Sequence, residues 1–412
     1  MDRKTLKIAL IGHIDHGKST LLGRLLLATN SLTKGKIAQI KKISKKLGKD
    51  TDLAFLTDQL EEEREGNLTI DTTQVFLKTA KHNYIFIDNP GHFQFIKNML
   101  TGTTQAEAAI LVIDINQGLM EQTRRHSEII RMLGINKTIV VLNKMDLVNY
   151  SEQKFIQTES TAREFLKTLG INPDFIIPIS AKNGLNIAKK SFKMRWYKGQ
   201  HLLNILDSLK LNTQSEKKPL RLPIQDVLET AEEKIIIGKV ISGIVRKGQE
   251  VIILPALKKT TLDSILIFKQ PNRTKAKSGE CIGLTLKDSL LAKRGDIIVE
   301  NLNLPQLTYR IKGNILWMIE QPLTPGITLT LRCATQEIQC IVEKIKRKIN
   351  SATLEISPLD KQELKQNEIG IVELKTKNIL VAEKFNFIEE LGRFILVQNN
   401  KVCACGIITD IL

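Results

Sequence analysis

Eight residues near the start of the chain constrain its fold more than any other segment. The run Gly12-His13-Ile14-Asp15-His16-Gly17-Lys18-Ser19 follows an apolar stretch, residues 6–11, and precedes residues 20–27. The first stretch predicts a buried strand and the second predicts the opening turns of a helix. A GxxxxGK[ST] match is meaningful only in this strand–loop–helix setting. The glycines let backbone N–H groups turn inward, and the helix start adds more of them, so we expect an anion site here.

Two side chains of this loop have specific predicted roles. Lys18 would reach the β- and γ-phosphates of a nucleotide, and the hydroxyl of Ser19 would hold Mg²⁺. The other predicted phosphate contacts come from the rest of the loop and the helix start: Gly12, His13, Asp15, His16, Gly17 and Thr20. The alternative is a glycine-rich strand–helix turn that binds no ligand.

The segment Asp88-Asn89-Pro90-Gly91-His92 follows the predicted strand 84–87. An acid at the carboxyl end of a strand beside the phosphate loop can hold Mg²⁺, so Asp88 is a candidate metal ligand. The N–H of Gly91 can approach a γ-phosphate, and His92 can orient an attacking water. Thr69 could offer Mg²⁺ a second hydroxyl from a segment that closes only around a γ-phosphate. Taken alone, Asp88 to His92 would be an ordinary capped turn.

Two further motifs follow strands and concern the base. In Asn143-Lys144-Met145-Asp146, a carboxylate can accept hydrogen bonds from N1–H and the 2-amino group of guanine, a pair that adenine lacks. In Ser180-Ala181-Lys182, a backbone N–H can meet the guanine O6. Each motif alone could be a surface turn. Their order after successive strands predicts a site for GTP with Mg²⁺.

The length of 412 residues predicts two or three domains. Over residues 1–212, apolar strands alternate with amphipathic helices, which is typical of a mostly parallel sheet with helices on both faces. After a polar linker that ends at Pro219, closely spaced strands form two sets, 219–305 and 306–412. The sequence therefore predicts an α/β P-loop GTPase domain that is followed by two all-β barrel domains.

The formal charge of +17 favours a polyanionic partner such as a nucleotide, RNA or an acidic protein surface. Since the lysines are spread along the chain, a generally basic surface is an equal alternative. The five cysteines have no CxxC spacing and predict neither disulfides nor zinc. No apolar run approaches membrane-spanning length, and the first strand leaves no room for a signal peptide, so we expect a cytoplasmic protein without a membrane partner.

These motifs together resemble the translational-type GTPases, the family that includes elongation factors Tu and 1-alpha. The resemblance extends into the last domain, where it is carried by Leu316-Trp317-Met318, Pro322-Leu323-Thr324-Pro325-Gly326, Leu331-Arg332, Asn367-Glu368-Ile369-Gly370 and Gly392-Arg393-Phe394-Ile395-Leu396. Within the family the chain resembles in particular the GTPase subunits of bacterial sulfate adenylyltransferases. That likeness rests on residues 12–25, Ala54-Phe55-Leu56-Thr57-Asp58, Ile70-Asp71-Thr72-Thr73-Gln74 and Gln122-Thr123-Arg124-Arg125-His126.

The resemblance implies a heterodimer with divided labour. A partner subunit, a PP-loop nucleotidyltransferase, would bind ATP and transfer its adenylyl group to sulfate, giving adenosine 5′-phosphosulfate and pyrophosphate for sulfate assimilation. This chain would hydrolyse GTP to drive that step, with His92, Lys18 and Thr69 as the catalytic residues. Two alternatives stay open: a translation factor that delivers aminoacyl-tRNA, which alone would bring RNA as a partner, and a GTP-bound scaffold without turnover.

Three features depart from the family pattern or lie outside it. Asn67 stands where relatives commonly have glycine before the switch threonine, and Asn89 replaces a small residue in the DxPGH turn. Both substitutions bear on how the switch closes and how His92 swings in. The lysine-rich segment 33–49 has an apolar helical face and is either a solvated helix or a basic arm for an acidic partner or RNA.

Overall fold

The computed structural model describes residues 5–31, 73–88, 106–132, 134–135, 137–209, 213–229, 234–267, 270–288, 292–349, 356–357 and 362–412. These residues form two compact units, one up to residue 211 and the other from residue 212 onward. The finer division into domains 1–212, 219–305 and 306–412 stays a prediction. The basic segment 33–49 lies outside the described residues.

A six-stranded sheet forms the frame of the first unit. Its strands are β1 (Thr5–Gly12), β2 (Thr73–Lys78), β3 (Asn83–Asp88), β4 (Ala108–Asp114), β5 (Thr138–Asn143) and β6 (Phe175–Pro178). They are ordered β2-β3-β1-β4-β5-β6, and all neighbours are parallel except β2 and β3. The antiparallel pair is joined by a short turn, whereas parallel neighbours need a crossover.

Four helices of the first unit are described: α1 (Lys18–Ala28), α2 (Glu121–Met132), α3 (Glu152–Thr168) and α4 (Leu202–Ser208). The leucines of α1 recur at helical spacing, and Leu21, Leu22 and Leu25 are fully buried in the same core cluster as the apolar residues of β1. The hydroxyl of Ser151 caps α3 by accepting a 3.3 Å hydrogen bond from the N–H of Lys154. Every residue of β4 and β5 is buried, as expected for central strands covered on both faces.

The second unit consists of two antiparallel barrels. The strands of the first are β7 (Arg221–Glu229), β8 (Lys234–Lys239), β9 (Ile244–Arg246), β10 (Glu250–Leu254), β11 (Lys258–Ile267), β12 (Gln270–Arg273), β13 (Lys275–Lys277), β14 (Cys281–Leu286) and β15 (Ile297–Glu300). Six of them close into a ring, β10-β15-β7-β8-β14-β11, because β11 also pairs with β10.

The second barrel contains β16 (Gln306–Trp317), β17 (Thr328–Cys333), β18 (Gln336–Ile349), β19 (Ile356–Ser357), β20 (Ile369–Ala382), β21 (Arg393–Gln398) and β22 (Lys401–Ile411), with the short helix α5 (Glu389–Gly392). Its ring β17-β21-β22-β16-β20-β18 closes where β18 pairs with β17. The predicted fold, an α/β domain followed by two β-barrels, is confirmed.

A buried ion pair and an apolar cluster join the two barrels. Arg221 is 1% exposed, and its Nη2 lies 2.6 Å from Oε1 of Glu383. The same Nη2 donates to the carbonyl oxygen of Asn303 at 2.6 Å. The two barrels also share an apolar cluster: Ile241, Ile252, Leu254, Ile297, Val299, Val381, Ile388 and Leu391. In the described part of the chain, no helix has the length and apolar character needed to cross a membrane.

Candidate nucleotide-binding site

The loop between β1 and α1 packs so closely against neighbouring strands that two positions admit only glycine. A Cβ on Gly12 would lie 2.4 Å from the carbonyl oxygen of Val112 in β4. A Cβ on Gly17 would lie 2.5 Å from Nδ2 of Asn143, and the φ of Gly17 is +86°. This left-handed backbone turns the chain into the first turn of α1, where free N–H groups face outward from the helix end.

Lys18 is buried at the start of α1 with its ammonium group against the loop. Its Nζ donates to the carbonyl oxygens of Gly12 at 2.9 Å and His13 at 3.1 Å. Burial lowers the pKa of Lys18 to about 8, against the raising effect of Asp88 and Asp15. The site therefore holds a poorly solvated ammonium group that donates to neutral carbonyl oxygens. A negatively charged phosphate oxygen would be a stronger acceptor for this group.

Asp88 ends β3 and lies beside the loop. It pairs in register with Leu10 of β1 and is 1% exposed. The half-buried Ser19 and Thr20 follow Lys18 in the first turns of α1. A hydroxyl and a carboxylate are oxygen donors of the kind that Mg²⁺ prefers, so this donor set fits the ion. Thr69, Gly91 and His92 lie outside the described residues.

Asn143, at the end of β5, connects two loops. Its Nδ2 donates to the carbonyl oxygen of His16 at 2.8 Å, and its Oδ1 accepts from the N–H of Ala181 at 2.9 Å. Asn143 is 2% exposed, so both bonds are shielded from water. The phosphate-loop candidate and the loop at 180–182 are thereby held at a fixed separation.

Asp146 and Lys144 are held by separate partners. The hydroxyl of Ser180 donates to Oδ1 of Asp146 at 2.6 Å, and accepts from the N–H of Asn183 at 3.2 Å. Nζ of Lys144 lies 2.9 Å from Oδ2 of the buried Asp114. The structure thus brings together the residues predicted to read a base, Asn143, Asp146, Ser180 and Ala181, with Lys182 following in the same loop.

His16 lies on the side of the phosphate loop that faces β4. His16 donates from Nδ1 to the carbonyl oxygen of Val112 at 3.1 Å, and its Nε2 lies 3.3 Å from Oε1 of Gln117. Burial lowers the pKa of His16 to about 4, so its ring is neutral. His16 therefore ties the loop to β4 by its side chain, and its carbonyl oxygen is held by Asn143.

Two residues near the loops, the buried His126 and the half-buried Arg24, received no functional role in the sequence analysis. His126 of α2 is 2% exposed, and burial lowers its pKa to about 3, aided by the nearby Lys18, His13 and His16. Its helical spacing with the buried Ile129 and Ile130 is a signal that could have placed it on the inner face of α2. Arg24 of α1 donates to the carbonyl oxygens of Ala181 and Lys182. No pattern in the neighbouring residues predicts these contacts.

Two protein-family models match this chain. The model described as "Elongation factor Tu GTP binding domain" matches residues 3–235, which is more than half of the chain. The model described as "GTP-eEF1A C-terminal domain-like" matches residues 310–409, within the second barrel. The first unit and the second barrel therefore match models drawn from the same group of proteins.

Relatives with two different names match along the whole chain. Sulfate adenylyltransferase subunit 1 of Aeromonas hydrophila is 36% identical over 414 residues, covering 99% of this chain and 86% of that protein. Elongation factor 1-alpha of Methanothermobacter thermautotrophicus is 35% identical over 420 residues, covering 100% and 98%. A solved structure of sup35 complexed with GDP aligns with 100% of this chain and 95% of that one, at 23% identity and a TM-score of 0.48.

Proposed function

We propose a specific role for this chain, which belongs to the elongation-factor-Tu family of GTPases: it hydrolyses GTP as one subunit of a two-subunit sulfate adenylyltransferase. The observation that carries the nucleotide part is the double hydrogen bond of Asn143, which joins the phosphate loop to the loop that follows β6. The sulfate part rests on the resemblance of residues 12–25 and 70–74 and on the names of relatives.

The phosphates bind at the start of α1. The loop Gly12-His13-Ile14-Asp15-His16-Gly17 offers backbone N–H groups, and the ammonium of Lys18 exchanges its bonds to the Gly12 and His13 carbonyls for phosphate oxygens. Ser19 and Asp88, with Thr69 from the switch, would hold Mg²⁺, which neutralises charge on the β- and γ-phosphates when bound. Thr20, which follows Ser19 in α1, belongs to the same phosphate-binding helix start.

The base binds between the loops that follow β5 and β6. Asp146 accepts from N1–H and the 2-amino group of guanine, while Ser180 fixes its carboxylate from the other side. The aliphatic stem of Lys144, anchored by Asp114, covers one face of the purine. The N–H of Ala181 is already bonded to Asn143, so the next N–H in the loop, that of Lys182, is the donor for O6.

Hydrolysis asks little covalent chemistry of the protein. Lys18 stabilises charge that develops on the transferred phosphoryl group, Gly91 approaches the γ-phosphate through its N–H, and His92 orients the attacking water. Turnover is slow until Thr69 and His92 are brought into place by a conformational change in the partner complex. This coupling makes GTP hydrolysis available to an adenylyl transfer that is unfavourable alone.

Delivery of aminoacyl-tRNA is the second candidate function. An elongation factor 1-alpha matches this chain at 35% identity and is itself covered over 98% of its length. The charge of +17 also suits a nucleic-acid partner, because lysines that neutralise phosphates release counterions. The two functions differ in the partner and not in the nucleotide site.

One experiment separates the two functions. The tagged chain is purified from its own cells, and the copurifying subunit is tested for pyrophosphate release from ATP and sulfate with and without GTP. We expect release to depend on GTP and to be lost in a complex reassembled with Lys18→Ala. Release that ignores GTP, together with salt-sensitive binding of aminoacyl-tRNA, would favour the translation role. GTP hydrolysis that stays absent with and without the partner would favour the scaffold.

A further inference from the structure

Arg24 connects the phosphate-binding helix to the loop that follows β6. It lies on α1 six residues after Lys18, and its Nε donates to the carbonyl oxygen of Ala181 at 3.1 Å. Its Nη2 donates to the carbonyl oxygen of Lys182. A guanidinium is planar and its donors are fixed, so a fork on two successive carbonyls sets the orientation of both peptide groups.

Three successive N–H groups of this loop, those of residues 181 to 183, differ in their hydrogen-bond acceptors. That of Ala181 donates to Oδ1 of Asn143 at 2.9 Å, and that of Asn183 donates to Oγ of Ser180 at 3.2 Å. Among the residues that the structure describes, none accepts a hydrogen bond from the N–H of Lys182. This N–H belongs to the same amide as the Ala181 carbonyl, which accepts from Arg24 at 3.1 Å and from the N–H of Gly184 at 3.3 Å. A donor on that carbonyl polarises the amide and strengthens its N–H as a donor.

The loop leaves room for the guanidinium. Gly184 has a φ of +70°, and a Cβ there would lie 3.3 Å from Cδ and 3.5 Å from Nε of Arg24. Glycine at this position therefore keeps Arg24 uncrowded while the chain turns back toward α4.

We propose that Arg24 is a positioning residue for guanine: it orients and polarises the Ala181–Lys182 amide so that the N–H of Lys182 reads O6. This proposal rests on the guanine-nucleotide site proposed above and adds a determinant of its specificity. Asp146 reads the 2-amino edge and Arg24 acts, through the loop, on the 6-oxo edge. The two halves of base recognition can therefore be lost separately.

The test compares three nucleotides on the full-length protein. GDP, 6-thio-GDP and IDP are titrated against the wild type, Arg24→Met and Arg24→Lys. Sulfur at position 6 is a weak acceptor, whereas IDP keeps O6 and lacks the 2-amino group. For Arg24→Met we expect GDP to bind about 10–100-fold more weakly and the preference for GDP over 6-thio-GDP to shrink toward one. The preference for GDP over IDP should stay at its wild-type value.

Controls assign each outcome. Arg163→Met removes an exposed arginine of α3, paired with Glu159, and should change none of the three affinities. Equal weakening of GDP and 6-thio-GDP in Arg24→Met, with the wild-type ratio between them, would overturn the proposal. Should Arg24→Met fail to fold, Arg24→Lys decides, since lysine keeps the charge but loses the fork; an unchanged ratio there overturns it. A wild type that binds ADP as well as GDP would instead refute the guanine site itself.

Discussion

The side-chain amide of Asn143 donates a 2.8 Å hydrogen bond to the carbonyl oxygen of His16, 127 positions earlier in the chain. The same amide group accepts from the N–H of Ala181 in a third segment. One buried side chain therefore fixes the phosphate loop, the end of β5 and the loop after β6 relative to one another. Its removal acts on all three segments.

Asn143→Ala should weaken GDP binding and destabilise the first unit together. Two buried backbone groups would lose their partner, at about 1–3 kcal/mol each. Titration with GDP and urea unfolding measure the two effects. Asn204→Ala, on α4, is a control with no expected effect on binding. GDP affinity at the wild-type level in Asn143→Ala would contradict the bridging role.

Lys18→Ala should bind GTP about 100-fold more weakly or worse, because a charge-assisted contact to phosphate is lost. It should not melt at a lower temperature without nucleotide. Burial lowers the pKa of Lys18 to about 8, so the folded state already bears a cost for its charge, and alanine removes that cost. Lys167→Ala, exposed in α3, is the control. Tight GTP binding by Lys18→Ala would mean that the phosphate loop is misassigned.

Asp146→Asn should exchange guanine for xanthine. An amide in place of the carboxylate can donate to the 2-oxo group of xanthine but no longer accepts from both N1–H and the 2-amino group of guanine. We expect GTP affinity to fall about 100-fold or more and xanthosine triphosphate to become the better ligand. The matched control is Asp174→Asn at an exposed position before β6. Equal affinity for GTP in the variant and the wild type would refute the base assignment.

Acid should destabilise the first unit through His126. Burial lowers the pKa of His126 to about 3, so between pH 6.5 and 3 the unfolded chain binds a proton that the folded chain does not. Its contribution to stability is complete above pH 6.5 and falls by about 1.4 kcal/mol for each pH unit below it. His126→Gln should show a shallower loss on acidification, with His16 still contributing.

The chain has two tryptophans, Trp196 in the first unit and Trp317 in the second, so each unit carries its own fluorescent reporter. Urea unfolding of His126→Gln in a Trp317→Phe background reports the first unit alone. His201→Gln, at the half-buried start of α4, serves as the comparison. A pH profile of His126→Gln that superimposes on its parent would rule out this role.

Arg221→Met should destabilise the second unit by about 3–5 kcal/mol, because it strands the carboxylate of Glu383 between the barrels. Burial already raises the pKa of Glu383 against the effect of Arg221. The double variant Arg221→Met with Glu383→Met should recover most of the loss, because it leaves no unpaired buried charge. Unfolding followed by Trp317 in a Trp196→Phe background measures this. A double variant as unstable as the single one would contradict the interpretation.

Local sequence patterns predicted the strands and loops whose structure depends on neighbouring residues. The apolar runs 6–11 and 84–87 placed β1 and β3 to within one residue, and the loop Gly12–Ser19 was correctly expected between a strand and a helix. The residues proposed to read the base were found at the strand ends where parallel topology brings them together. Each of these features depends on hydrophobic period or on turn chemistry within a few residues.

Contacts between distant segments could not be predicted in this way. The bonds of Arg24 to residues 181 and 182 cross more than 150 positions, and its place in α1 resembles that of an ordinary exposed arginine. The barrels themselves were predicted, but the strand pairs that close each ring were not, because the pairings of β10 with β11 and of β17 with β18 look like simple hairpins. Only the three-dimensional arrangement shows that these hairpins complete rings.

Ring closure restricts how each barrel can bind another molecule. In each barrel, every one of the six ring strands hydrogen-bonds to a neighbour on both sides. A protein or nucleic acid that binds these strands therefore contacts outward-pointing side chains and not unpaired peptide groups. Substitutions of these side chains can then change the outer surface without breaking the hydrogen bonds of the ring. A single scaffold can in this way serve chains known by names as different as an adenylyltransferase subunit and an elongation factor.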